Sequence, residues 1–138
     1  MGIYGPSKRT KKEDFVALPS ISTIVSHSPD HSKFFNLIKK AKLLTTLSAA
    51  DGLTVFAPTD AALKDLDVEK MTSANAKTIV LGHVLQYSKA PPPNYKKMKS
   101  FATLQNGGKR IQASDVQSFM NSPVHALNGV LYVIEFTL

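Results

Sequence analysis

No cysteine occurs in the 138 residues, which removes disulfides, thiolate metal sites and a cysteine nucleophile together. No apolar run approaches the ~18 residues needed to cross a bilayer, so no transmembrane segment is expected. The sequence contains no Asn-x-Ser/Thr glycosylation acceptor, because its nearest approach, Asn121-Ser122-Pro123, lacks the final hydroxyl residue. Met1 to Lys12 show no apolar stretch after their basic residues, and Pro6 stands where a myristoylation signal needs Ser or Thr. Neither a secretory leader nor a lipid anchor is therefore read in them. A Gly-x-Ser-x-Gly elbow, a phosphate-binding glycine loop and His-Glu-x-x-His are also missing. No catalytic residue, metal ligand or cofactor is expected, and the chain does not read as an enzyme.

What remains is a chain of single-domain size, 43% hydrophobic, long enough to bury a core of its own. Residues 1–19 are rich in Gly, Pro, Lys and Ser and read as a basic extended arm, with the domain expected over 20–138. Ile21, Ile24 and Val25 suggest a short helix. Ser28-Pro29 then supplies a cap and a first-turn proline for a longer one. Phe34, Leu37, Ile38 and Ala41 follow at i, i+3, i+4, i+7, so this stripe is expected to serve the core rather than a partner.

Asp51-Gly52 turns the chain into a strand over Leu53 to Ala57. Pro58 ends that strand, and Thr59 or Asp60 is expected to cap a short helix carrying Ala61, Ala62 and Leu63. A helix is predicted over Ser73–Leu81, closed by Gly82. Short β-forming runs come after it at 101–104, 109–112, 124–127 and 130–136. Asn106-Gly107 and Asn128-Gly129 read as hairpin turns of type I′. Helices first and an antiparallel sheet afterwards give an α+β class.

Two runs carry a resemblance. Thr54-Val55-Phe56-Ala57-Pro58-Thr59-Asp60-Ala61-Ala62-Leu63 and Asn128-Gly129-Val130-Leu131-Tyr132-Val133-Ile134-Glu135 resemble the two motifs of the fasciclin-like domain family. The stretch from Ile24 to Leu44 also falls where that family places its opening helices. The resemblance implies an antiparallel β-sandwich or wedge decorated by several short helices, with the two motifs side by side in the core. It also implies adhesion or protein interaction rather than catalysis. His83 matches the histidine of a Tyr-His pair found in the family, but Gly82 stands where the tyrosine would be, and no Arg-Gly-Asp occurs. Integrin-type binding is not carried over.

The other chemistry-bearing residues have plain structural readings. His27 and His31 flank a helix start and need not share a face, so they are not read as a metal pair. His83 reads as a core or helix-end histidine bonded to backbone. Thr54, Val55, Phe56, Ala57, Pro58, Thr59, Asp60, His83, Asn128 and Gly129 are taken as motif residues with structural work.

Charge is the remaining signal, at 17 basic against 10 acidic residues. From Lys89 to Ser114 the chain has six basic residues and no acidic one. The candidate interaction residues are Lys96, Lys97, Lys99, Lys109 and Arg110 there, with Lys8, Arg9, Lys11 and Lys12 on the arm. The expected partner is another protein. The alternatives are neighbouring subunits of a large assembly such as a virus particle, tethered by the arm, and an acidic surface or polyanion. The leaderless sequence favours an intracellular or particle location, whereas the family resemblance favours the cell surface.

Overall fold

The computed structural model describes residues 18–87, 91–105 and 109–138. The arm candidates Lys8, Arg9, Lys11 and Lys12, together with Lys89 and the Asn106-Gly107 turn, lie outside them.

The helical half comes first. Ser20 caps α1 (Ile21–Ser26), its hydroxyl accepting the Thr23 N–H. A 3-10 turn over Pro29–His31 leads into α2 (Ser32–Lys40), which buries Phe34, Leu37 and Ile38 as the stripe requires. This helix ends with the Leu43 N–H on the Ile38 carbonyl (3.0 Å) and the Lys42 N–H on the Lys39 carbonyl (3.0 Å). Lys42 takes φ 60° at the position where such a closure favours glycine. Next come α3 (Leu44–Ala49) and strand β1 (Leu53–Pro58), then α4 (Ser73–Leu81), capped by Thr72 and closed at Gly82 as predicted.

The remaining strands are β2 (Val84–Gln86), β3 (Ser100–Ala102), β4 (Arg110–Gln112), β5 (Val124–Ala126) and β6 (Gly129–Ile134), with a short α5 (Ala113–Val116) after β4. Among the described residues they form a four-stranded sheet, ordered β2-β1-β6-β5, and a two-stranded sheet of β3 and β4. The α+β class holds. The two motifs do run side by side, β1 against β6 from Leu53↔Gly129 to Pro58↔Ile134. That central pairing is parallel, whereas β1–β2 and β5–β6 are antiparallel.

Alternation along the strands divides the core into two layers. Leu53, Val55, Ala57, Val84 and Leu131 face the helices, among Ile21, Phe34, Leu37, Ile38, Leu47 and Val80. Phe56, Leu85, Val130, Tyr132 and Ile134 face the small sheet, against Phe101, Ile111 and Val116. Phe56 and Tyr132 stack across the parallel pair at 5.7 Å between ring centres.

Two local expectations fail. Asp60 to Asp65 form successive turns rather than a helix. The local bonds are mostly of the i to i+3 kind, Leu63 N–H to the Asp60 carbonyl (3.1 Å) and Leu66 N–H to the Leu63 carbonyl (2.9 Å), and the Lys33 ammonium takes the carbonyls of Leu63 (3.2 Å), Lys64 (3.4 Å) and Leu66 (3.4 Å) at the segment's end. The β5–β6 hairpin exists, but Ala126 pairs with Gly129, so its turn residues are Leu127 and Asn128. Neither has positive φ, which rules out type I′.

Candidate functional site

Asn128, Asp60 and Thr59 of the two motifs are occupied by the fold. Asn128, nearly fully buried, accepts the Ile21 N–H with Oδ1 (3.1 Å) and donates through Nδ2 to the carbonyls of Leu47 (2.7 Å) and Ala50 (2.9 Å). One side chain thus ties the start of α1 to the end of α3 and holds both over the mouth of the β1–β6 pair. Gly129 beside it has no room for a side chain, because a Cβ there would lie 1.9 Å from the Leu53 carbonyl oxygen.

Asp60 caps a helix other than the one expected. Its carboxylate accepts the Lys33 N–H (2.8 Å) and the Ser32 hydroxyl (2.6 Å), closing the N-terminus of α2 from across the chain. Burial would raise its pKa, but the hydrogen bonds from Ser32 and Lys33 outweigh that and hold the carboxyl below its ordinary value. Thr59 does cap locally, its hydroxyl accepting the Ala62 N–H at 3.3 Å. Thr54 Oγ1 is buried with no hydrogen-bond partner among the described residues.

Both buried histidines are engaged at both nitrogens. His31 donates from Nε2 to the Ala57 carbonyl (3.2 Å), so Nδ1 accepts the Ser28 hydroxyl (2.7 Å). No ring nitrogen is left there for a metal, and His27 stands exposed outside the helix. His83 donates from Nδ1 to the Ile79 carbonyl (2.8 Å) and accepts the Leu138 N–H at Nε2 (3.1 Å). Phe34 packs edge-on against its ring at 5.9 Å. Burial pushes its pKa down to about 4; the Ile79 carbonyl acts in the opposite direction and Lys109 adds to the lowering. His83 is a neutral core histidine bonded to backbone, not half of an acid–base pair.

The charged candidates lie on the outside, in two places rather than one. Lys96 and Lys97 stand exposed on a 3-10 turn, with exposed Lys99 just before β3. Lys96 and Tyr95 border a groove of about 390 Å³ whose other walls are Gln117, Ser118, Met120 and Asn121. Lys109 and Arg110 line a different groove, of about 530 Å³, with Gln112, Asp115 and the terminal residues Phe136 to Leu138. The Arg110 guanidinium is turned back onto Ser100, through Nε to Oγ (2.8 Å) and Nη2 to the carbonyl (3.3 Å). Asp115 brings an acid into this second groove, so Lys96, Lys97 and Lys99 form the more purely cationic of the two surfaces.

Sequence reasoning missed the clamp at Asn128 and the remote cap at Asp60, because each acts on chain far from it in sequence. It also missed the lysine ties of α2, where Lys40 joins Lys33 by donating to the carbonyls of Val68 (2.9 Å) and Glu69 (2.6 Å). No local signal marks such partners. Residues 29–138 match the family model described as Fasciclin domain. The chain matches no curated protein.

Proposed function

The chain belongs to the fasciclin domain family, and from that premise we propose that it is a non-enzymatic interaction module that engages an acidic protein partner through Lys96, Lys97 and Lys99. Domains of this family are generally adhesion and protein-interaction modules. One observation carries the reading. The buried or capping polar groups His31, His83, Asp60 and Asn128 are bonded into the fold, while these three lysines stand on its surface. A rigid body with an outward cationic ridge suits recognition of a surface of opposite charge.

A photo-crosslinker placed at position 97 of the full chain, in the native host, should capture protein partners. Their crosslinks should disappear when Lys96 and Lys99 are both changed to Glu. Crosslinks unaffected by that reversal, or a turnover activity abolished by substitution at His31, would overturn the proposal. Partner binding that weakens by orders of magnitude as salt rises, with nucleic acid competing, would instead favour the polyanion alternative.

A second reading, a structural subunit of a large assembly tethered by its arm, is supported at the entry to the domain. The Pro19 carbonyl accepts the Leu127 N–H at 2.8 Å, which ties the entering chain to the β5–β6 turn. Leu18 and Leu127 both stand exposed there, at 51% and 64%. Removing residues 1–18 should leave the domain folded and abolish incorporation; normal incorporation of the shortened chain would count against this reading.

A further inference from the structure

Two short 3-10 turns, Tyr95–Lys97 and Gln117–Phe119, border the groove of about 390 Å³ beside the cationic ridge. Each wall is anchored from behind. On one side the Tyr95 N–H donates to the Pro92 carbonyl (3.0 Å) and the Met98 N–H to the Tyr95 carbonyl (3.2 Å), while Tyr95 and Met98 pack against the core layer of Phe56 and Tyr132. On the other the Met120 N–H donates to the Gln117 carbonyl (3.1 Å), and Val116 and Met120 are buried in that same layer. A groove held by the core on both sides loses little freedom when it is filled. Its volume also falls within the range of sites that enclose a ligand group, about 300–1,000 Å³.

The lining is divided by depth. Met120 is buried and Tyr95 half-buried, whereas Lys96, Gln117, Ser118 and Asn121 are exposed. An apolar base is thus rimmed by a cation, a hydroxyl and two amides, and each amide carries both a donor and an acceptor, as a peptide group does. No carboxylate lines this groove. The groove at Lys109 holds Asp115, and the one beside α2 holds Asp65, Asp67 and Glu69.

We infer that this groove is a slot for an extended acidic peptide segment, seating one apolar side chain over Met120 and Tyr95 while a neighbouring carboxylate pairs with Lys96. The inference rests on the reading that Lys96, Lys97 and Lys99 engage an acidic protein, and it names the part of that protein that is bound: a linear segment, not the face of a folded domain. Gln117 and Asn121 stand at the rim, where their amides can bond the backbone of such a segment. Met120 supplies an adaptable thioether and Tyr95 a rigid ring, both suited to an apolar anchor. A chain of phosphates would use the lysines alone and leave that base uncovered, so the lining favours a peptide over a nucleic acid.

Because the sequence has no cysteine, Ser118→Cys puts a single thiol in the groove of the full chain. The probes are short peptides selected from a random library on the wild-type protein. They should combine one apolar residue with Asp or Glu and should protect the Ser118→Cys thiol from a maleimide. Their affinity should fall about tenfold or more once a bulky maleimide occupies that thiol, and by a similar factor in Lys96→Glu. Failure to select any peptide, or peptides that bind equally well to the blocked groove, would overturn the inference. So would a Glu-only peptide of equal charge, or single-stranded DNA, that binds as tightly as the selected peptides. Where Ser118→Cys does not fold, Asn121→Cys carries the thiol on the same rim. Crosslinks from position 97 to the natural partner separate this inference from the reading it rests on. Crosslinks that survive blocking of the groove but vanish when Lys96 and Lys99 become Glu would leave the ridge standing and sink the slot; crosslinks that survive both changes would sink both.

Discussion

The parallel seam between β1 and β6 and the cationic ridge at Lys96 to Lys99 lie in one domain and obey opposite rules. At the seam the residues are buried and tightly fitted: Asn128 holds three backbone groups, and Gly129 has no room for even a methyl. On the ridge the lysines are exposed and make no ion pair among the described residues, where the one pair within 4.0 Å is Lys70–Asp67. A fault at the seam should therefore destroy the fold, whereas a change on the ridge should alter recognition and leave the fold intact. Family motifs here mark the first kind of residue, so the motif that best identifies the domain says least about its partner.

The contrast breaks hardest at Gly129. Gly129→Ala places a Cβ 1.9 Å from the Leu53 carbonyl oxygen, a backbone atom that cannot turn aside. The β1–β6 pairing must open, and the expected loss is about 4 kcal/mol or more, read as a collapse of the urea midpoint or as failure to fold. A variant with wild-type stability would show that the two strands have slack, and the seam would lose its special standing.

Asn128→Ala comes next. It removes three hydrogen bonds and leaves the Ile21 N–H and the Leu47 carbonyl without a partner in a buried site. With the desolvation penalty of each orphan, about 3 kcal/mol of stability should be lost. This role could not be read in the sequence. Asn-Gly is a strong local turn signal, and local rules placed both residues in a type I′ turn, whereas the side-chain partners of Asn128 lie 78 to 107 positions away. Asp60 misled for the same reason, since an aspartate after Pro58-Thr59 resembles a local cap, yet its hydrogen bonds close α2. By contrast, α4 was legible from end to end, because its cap at Thr72, its apolar spacing and its stop at Gly82 all lie within the segment itself. The stripe of α2 and the adjacency of the two motifs were legible too, the latter through the family resemblance alone.

Acid tests the seam's neighbour, His83. Its folded-state pKa, about 4, lies below the ordinary 6.5, so the unfolded chain takes up the proton first. Stability is thus full above pH 6.5, declines as pH falls from 6.5 to about 4, and reaches its limiting loss below that. The gap between the two values sets that loss at about 3 kcal/mol. Denaturant midpoints at pH 7, 5.5 and 4.5 should show the decline in the wild type, and His83→Gln should flatten the histidine's share of it. An equal slope in both proteins would assign the acid sensitivity to other groups, such as Asp60, whose stabilising hydrogen bonds are also lost as pH falls.

A smaller effect of opposite sign is expected from Thr54→Val. Thr54 sits at the seam with its hydroxyl buried and without a partner among the described residues, and valine keeps the shape while removing the polar atom. Deleting an unsatisfied group of this kind should raise stability by about 1 kcal/mol. A loss instead would mean that the hydroxyl has a partner of its own, and the seam would be more polar than it looks.

The smallest effect on the fold is the one that separates the two regions most cleanly. Changing Lys96, Lys97 and Lys99 together to Glu reverses the ridge at exposed positions whose side chains make no hydrogen bond among the described residues. Such surface changes typically shift stability by less than about 0.5 kcal/mol each. Removing like charges from a chain of net charge +7 also reduces its self-repulsion. Midpoints should therefore stay close to wild type, or rise slightly, while attachment to an acidic partner fails. A triple variant that unfolds would make the ridge part of the core's support, and its lysines could no longer be assigned to recognition on the ground that the fold does not need them.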